Sequence, residues 1–194
     1  ETLLGPEDAV VSDELNHASI VDACRLSKAV CRIYPHRNLN QLETWLAESR
    51  SCRRRIIVTD GVFSMDGDLA PLSELCSLAE KYEAILLVDD AHGFGVLGQQ
   101  GRGAIEHFGR EGRVPVQIGT LSKALANMGG YVAGSRSLVD YLRNRARSFI
   151  YSTALPPSVL AASLAALKLI GSQEGTERRK TLWENVYYLR EGLS

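Results

Sequence analysis

The feature that most constrains the fold is a regular alternation of short apolar runs with amphipathic helical segments. Runs rich in apolar and β-branched residues predict strands over 8–13, 29–34, 55–60, 84–90, 114–120 and 129–135. Patterns with helical periodicity predict helices over 17–28, 38–49, 70–82, 137–149, 157–171 and 176–193. Because parallel strands need helical crossovers, this alternation predicts an α/β fold whose mostly parallel sheet is flanked by helices.

Local signals support this assignment. The strands AILLV (84–88) and RIIV (55–58) are apolar throughout, which is typical of a sheet covered on both faces. Asn38 is placed to cap one helix, and Pro71 lies near the first turn of the next. The polar segment SQEGTERRK (172–180) has the composition of a linker, so we expect another structural unit to begin there.

Composition excludes several classes of protein. The chain has 194 residues and a net charge of −1, which gives no reason to expect a nucleic-acid or membrane-surface partner. It has no apolar run that could span a bilayer, and its first residues do not resemble a signal peptide. The cysteines lack CxxC spacing, so we expect reduced thiols and a cytoplasmic location.

Polar and ionisable residues follow three successive predicted strands. They are Asp60, Ser64, Asp66 and Asp68, then Asp89, Asp90 and His92, then Thr120, Ser122 and Lys123. Ligands of open parallel sheets bind beyond the carboxyl ends of the strands, where all three groups converge. The sequence therefore predicts a functional site at this edge.

Two chemistries fit these residues. Asp60, Asp66, Asp89, Asp90 and His92 are the oxygen-rich ligand set, with one imidazole, that suits magnesium or manganese. In the other chemistry Lys123 is a covalent amine, and one carboxylate pairs with the ring nitrogen of a cofactor. The metal site leaves Lys123 unexplained, whereas the covalent site uses every group.

Structural roles are the alternatives for individual residues. Asp90 could cap the turn that follows it, and His92 could be a hydrogen-bonded core histidine. His17 lies where a helix begins and could be a capping neighbour.

Six segments together resemble one enzyme family. In chain order they are SDELNHASIVDA, TDGVFSMDGDLAPL, LLVDDAHGFGVLGQQGRG, GTLSKAL, GGYVAGS and FIYSTALPPSVLAAS. Their order and spacing are similar to those of the α-oxoamine synthases, pyridoxal-phosphate (PLP) enzymes of the aspartate-aminotransferase fold (fold type I). The resemblance implies that 1–170 form a partial large PLP-binding domain and 171–194 a helical link to a small domain. Because members are roughly twice this long, we expect an internal fragment.

The resemblance also assigns roles to residues. It implies that Lys123 holds the cofactor covalently, that Asp89 pairs with the pyridine nitrogen, and that His17 stacks on the ring; these three are the expected catalytic residues. His92 is expected to contact the phenolic oxygen of the cofactor. Further polar contacts are expected from Ser64 and Thr120, and, across a homodimer interface, from Ser152 and Thr153.

The implied activity is a decarboxylative condensation of an amino acid with an acyl-CoA thioester. Two segments, FIYSTALPP and GTLSKAL, favour the members of the family that use L-alanine and pimeloyl-CoA in biotin synthesis. The alternatives are a glycine acetyltransferase and a catalytically incomplete fragment or pseudo-enzyme. Ala126 and Asn127 depart from the pattern, because relatives often have glycine after SKAL.

Overall fold

The computed structural model describes residues 2–193 and contains a six-stranded sheet. The strands are β1 (Ala9–Asp13), β2 (Val30–Tyr34), β3 (Arg55–Asp60), β4 (Ile85–Asp89), β5 (Val116–Thr120) and β6 (Gly130–Gly134). Their spatial order is β2-β1-β3-β4-β5-β6. The first five are parallel to their neighbours, and β6 pairs antiparallel with β5. The predicted mostly parallel α/β sheet is confirmed.

Helices connect the strands and extend beyond the last one. They are α1 (Ala18–Ser27), α2 (Leu39–Glu48), α3 (Leu72–Lys81), α4 (Ala104–His107), α5 (Arg136–Arg145), α6 (Arg147–Ile150), α7 (Pro157–Ile170) and α8 (Gln173–Leu193). A 3-10 turn, Ser49–Ser51, follows α2. Among residues 2–193, no helix is both long enough and apolar enough to cross a bilayer.

Capping side chains set the starts of several helices. Asn38 Oδ1 accepts a hydrogen bond from the Gln41 N–H at 3.0 Å, which confirms the predicted cap of α2. Ser135 caps α5 in the same way through the Leu138 N–H. Pro157 occupies the first turn of α7, where its missing N–H costs no helical hydrogen bond.

The hydrophobic core lies on both faces of the sheet, because alternate strand residues point to opposite sides. On one face, Val11, Ile57 and Leu86 pack in the larger cluster, together with residues of α2 and α3. On the other face, Val10 and Val58 pack against α1. The strands are thereby fixed in a register that aligns their carboxyl ends.

The structure differs from the sequence-based prediction in three places. The helix predicted over 137–149 is interrupted at Ala146, between α5 and α6. The short α4 was not predicted at all. The segment 172–180 is not a linker, because α8 begins at Gln173 and its buried Arg179 donates to the carbonyl oxygens of Gln99 and Ile170. The division into a domain over 1–170 and a link over 171–194 stays a prediction.

Candidate active site

A cavity of about 330 Å³ opens at the carboxyl ends of β3, β4 and β5. Its lining combines carboxylates, imidazoles, hydroxyls and one amine: His17, Ser19, Asp60, Asp89, Ala91, His92, Ile118, Gly119, Thr120, Ser122 and Lys123. Six of the ten residues predicted to converge at this sheet edge line the cavity, whereas Ser64, Asp66, Asp68 and Asp90 do not.

Two carboxylates lie side by side at the floor of this cavity. Asp60 and Asp89 are the last residues of neighbouring strands and are register partners. Burial, followed by the charge of Asp89, raises the pKa of Asp60 to about 6. Burial also raises the pKa of Asp89, although the Ala91 N–H donates to its Oδ1 at 3.0 Å. The pair therefore concentrates negative charge where a cationic ring or amine can be held.

The amine of Lys123 lies directly against an imidazole. The distance from Lys123 Nζ to His92 Nε2 is 2.6 Å. Burial and then the charge of Lys123 lower the pKa of His92. A neutral His92 can accept a hydrogen bond from the ammonium group and orient it toward the cavity.

A tight loop between β5 and β6 carries Lys123. Ala126 N–H donates to the carbonyl oxygen of Lys123 at 2.9 Å. The Asn127 amide donates to the Val159 carbonyl oxygen and to Ser163 Oγ in α7, at 2.7 and 2.8 Å. Ala126 has φ of 49°, a left-handed conformation that glycine adopts more easily. Ala126 and Asn127, the two departures from the family pattern, therefore both shape this loop. Ala126 does so through its strained backbone, and Asn127 through its side-chain bonds to α7.

His17 serves as the N-cap of α1. Its Nδ1 accepts from the Ser19 N–H at 3.2 Å and lies 2.8 Å from Ser19 Oγ. This places the proton of a neutral His17 ring on Nε2. The backbone N–H of His17 also donates to Asp60 Oδ2 at 3.1 Å. The capping interpretation is confirmed, and it leaves the ring on the wall of the cavity.

Two hydroxyl groups lie on the β5 side of the cavity. Thr120 Oγ1 is 2.6 Å from Ser122 Oγ, and it donates to the Gly129 carbonyl oxygen at 3.1 Å. The Ser122 N–H donates back to Thr120 Oγ1 at 3.1 Å. Because Thr120 donates its hydroxyl proton to the Gly129 carbonyl oxygen, the strand end presents the Ser122 hydroxyl as a donor for an oxyanion.

The structure does not bring every predicted site residue to the cavity. Ser64 is exposed in the turn after β3 and does not line it. Ser152 and Thr153 are exposed between α6 and α7, also outside it. The contacts expected of these three residues stay predictions.

The structure does not bring together the five residues of the metal-site alternative. Asp66 is exposed, and Asp90 is buried on the face of the sheet opposite Asp89. Within residues 2–193, no three His, Cys, Asp or Glu side chains form a group that could hold a metal ion.

Sequence reasoning missed one polar lining residue and left the role of another open. Ser19 was not considered, although a hydroxyl two residues after a capping histidine is placed to contact its ring. The sequence places Asp60 at this edge but gives it no role of its own in the covalent site. Its position at the end of a strand beside Asp89 brings it into the same cavity.

A family model described as "Aminotransferase class I and II" matches residues 1–194. The chain belongs to the aminotransferase class I and II family. The 8-amino-7-oxononanoate synthase of Thermosipho melanesiensis is 56% identical over 187 residues, which are 96% of this chain and 47% of that protein. The enzyme of the same name from Fervidobacterium nodosum is 55% identical over 196 residues, covering 99% and 49%.

Solved structures of this aminotransferase family share the fold. A variant of serine palmitoyltransferase from S. paucimobilis with a bound PLP–myriocin aldimine superposes with a TM-score of 0.90 at 34% identity, covering 95% of this chain and 46% of that chain. The 8-amino-7-oxononanoate synthase of Francisella tularensis gives 0.81 at 35% identity, covering 98% and 54%. The predicted fold type I architecture and the resemblance to α-oxoamine synthases are confirmed. The chain spans about half the length of the curated relatives it matches.

Proposed function

We propose that residues 1–194 carry the cofactor-binding core of a PLP-dependent acyltransferase, and that this enzyme is an 8-amino-7-oxononanoate synthase. The observation that carries the proposal is the contact between Lys123 and His92 in one cavity with Asp89. The identity of 55–56% to synthases of that name supports the specific reaction.

The groups in the cavity fit PLP one by one. The Lys123 amine matches the aldehyde of the cofactor, and the Asp89 carboxylate matches its ring nitrogen. The His92 imidazole matches the phenolic oxygen, and the Ser122 hydroxyl is a donor for a phosphate. A cavity of about 330 Å³ has the size expected for a small cofactor.

PLP, when bound, withdraws electrons from the α-carbon of an amino acid. Asp89 would hold a proton at the ring nitrogen, because a buried carboxylate next to a pyridinium favours the charged pair. Lys123 would bind the cofactor covalently in the resting enzyme. Its free amine would later take the α-proton as a general base.

Other cavity residues support the roles of Asp89 and Lys123. His92 aligns the Lys123 amine, while His17, fixed as a helix cap, offers a flat ring at the wall of the cavity. Asp60 accepts from the backbone N–H of His17 and so sets the position of that ring. The side chains of Asp89 and His17 are each held by a hydrogen bond from a neighbouring backbone N–H.

The overall reaction forms one carbon–carbon bond and breaks one carbon–sulfur and one carbon–carbon bond. The α-carbon of the amino acid gives its proton to Lys123 and attacks the thioester carbonyl, and the carbon–sulfur bond breaks with release of coenzyme A, which takes up a proton as its thiol. The amino-acid carboxylate then leaves as carbon dioxide, and the α-carbon takes up a proton in its place. An 8-amino-7-oxononanoate product requires L-alanine and a pimeloyl thioester as the two substrates. We further propose that the enzyme works in the cytoplasm as a homodimer, in which Ser152 and Thr153 of one subunit contact the phosphate in the other.

A coenzyme A release assay on the natural protein that contains residues 1–194 tests the substrates. We expect thiol release that needs both L-alanine and pimeloyl-CoA, at a kcat/KM at least about tenfold above that with glycine and acetyl-CoA. A reversed preference would assign the acetyltransferase reaction instead. The control is Lys168→Ala, which changes a lysine of α7 outside the cavity and should leave the rate unchanged.

A further inference from the structure

Asp90 is a fully buried carboxyl group that the proposed chemistry does not use. Its side chain lies on the face of the sheet opposite Asp89, and the residue is 0% exposed. Its Oδ2 accepts from the Ala104 N–H at 2.9 Å. Its Oδ1 is buried and has no hydrogen-bond partner among the described residues. A carboxyl group in such surroundings is costly to bury, so a role that requires it is expected.

Three glycines enclose this carboxyl group. A Cβ atom on Gly61 would lie 2.9 Å from Asp90 Oδ1. A Cβ atom on Gly93 or Gly103 would overlap the carboxyl oxygens outright. Gly103 also has φ of 93°, which side-chain-bearing residues rarely adopt. The backbone therefore closes around the carboxyl group from the residue after β3 and from both ends of the glycine-rich loop.

Asp90 also joins that loop to the sheet through its own backbone. Its N–H donates to the Ile118 carbonyl oxygen of β5 at 2.9 Å, and its carbonyl oxygen accepts from the Phe94 N–H at 3.0 Å. Together with the side-chain bond to Ala104, one residue contacts β5, the start of the loop and the end of the loop. His92 lies between these attachment points.

We propose that Asp90 is a positioning residue, which fastens both ends of the loop 91–103 to the sheet and thereby holds the His92 imidazole against the Lys123 amine. The contacts of Asp90 are observed in the structure and do not depend on the proposed function. Only the catalytic importance of the contact between His92 and Lys123 rests on that function.

The carboxyl group does not need to be charged in this role. Burial raises the pKa of Asp90 to about 7; the Ala104 N–H opposes the rise and the charge of Asp89 adds to it. An amide has nearly the same shape and can accept the same hydrogen bond. Asp90→Asn should therefore preserve the attachment, whereas Asp90→Ala leaves the Ala104 N–H buried without its acceptor.

The test uses the cofactor-free natural protein that contains residues 1–194, with two readouts. Hydrogen exchange reports the opening of 93–104, and NMR titration reports the pKa of His92, which Lys123 helps to hold low. Asp90→Ala should speed loop exchange at least about tenfold and move the pKa of His92 toward its ordinary value. Asp90→Asn should change neither. If Asp90→Ala leaves both readouts at wild-type values, the proposal is overturned.

Asp8 provides a matched control, because it is another 0% exposed carboxylate and lies just before β1, at the opposite end of the strands. Asp8→Ala should lower stability without moving either readout, since Asp8 pairs with Arg53 and not with the loop. Equal changes in both readouts from Asp8→Ala would show that general destabilisation is responsible, which also overturns the proposal.

A milder pair of variants covers the case in which Asp90→Ala does not fold. Gly61→Ala, just after β3, places a Cβ atom 2.9 Å from Asp90 Oδ1 and 3.1 Å from Ala104 Cβ and so presses on the contact between these two residues. Gly5→Ala adds a methyl group with nothing within 4 Å. Faster exchange of 93–104 in Gly61→Ala alone supports the proposal, and equal exchange in the two variants refutes it. Both readouts are measured without cofactor, so their results do not depend on whether PLP attaches to Lys123.

Discussion

His36 joins three loops at the carboxyl ends of the strands, and its replacement should cost stability in a pH-dependent way. Its Nδ1 lies 2.9 Å from Asp13 Oδ1, and its Nε2 lies 2.8 Å from Asp68 Oδ2. Burial would lower the pKa of His36, but the hydrogen bonds with Asp13 and Asp68 outweigh it and raise the pKa. The ring also makes a T-shaped contact with Phe63 at 4.4 Å.

The magnitude follows from what each partner retains in His36→Ala. A hydrogen bond to a charged group contributes about 1.5–3 kcal/mol. Asp13 is almost fully buried but keeps the N–H groups of Leu15 and Arg37, and the more exposed Asp68 keeps the Arg37 guanidinium. We count the bond to the buried Asp13 in full and the bond to the more exposed Asp68 at a low value. The expected loss is then about 2–4 kcal/mol at pH 6. This is a large share of a typical stability of about 5–15 kcal/mol.

The loss should shrink as the pH rises. A group whose pKa is raised by folding contributes stability that is complete below its unfolded pKa, about 6.5 for histidine, and that disappears as pH passes the folded pKa. Urea unfolding at pH 6 and pH 9 measures both values for wild type and His36→Ala. His107→Ala is the control, because His107 is exposed and makes a similar T-shaped contact with Phe108.

The expected result is a difference between wild type and His36→Ala that is smaller at pH 9 than at pH 6, and that at pH 6 exceeds the difference for His107→Ala. A pH-independent difference would show that packing against Phe63, and not the charged hydrogen bonds, explains the loss.

Other substitutions test the site and the core. Asp89→Asn should lower kcat by orders of magnitude with an unchanged Tm, and a near-normal kcat would contradict its pairing with the ring nitrogen. Leu46→Ala, at a fully buried position, should cost about 2–5 kcal/mol in urea unfolding. Leu26→Ala, at a position 64% exposed, should cost less than about 0.5 kcal/mol, and equal losses would contradict the core assignment. Asn127→Ala should increase hydrogen exchange in 121–129, because the loop loses its bonds to α7; unchanged exchange would refute that anchor.

The sequence predicted the sheet and the convergence of the site because both depend on local patterns. The runs in β3 and β4 are short, apolar and flanked by polar residues, so strand type and direction could be inferred. Once the strands are parallel, Asp60, Asp89 and Lys123 must meet at one edge.

The remaining features depend on contacts between distant residues. Local composition made 172–180 look like a linker, but Arg179 bonds to Gln99, 80 positions away, and the segment is helical. The four-residue α4 is too short to show a helical period, and its start is set by Asp90 from the end of β4. Alternation along a strand could have shown that Asp89 and Asp90 face opposite sides, but not what each would contact.

Covalent attachment of the cofactor tests the central claim most directly. The natural protein that contains residues 1–194 is incubated with PLP, reduced with borohydride and digested, and the peptides are mapped by mass spectrometry beside a Lys123→Ala variant. We predict a cofactor adduct on the peptide that contains Lys123, and none on Lys28, Lys81, Lys168 or Lys180. Absence of any adduct in the wild-type protein, or an equal adduct in Lys123→Ala, would contradict the assignment of Lys123 and of this cavity.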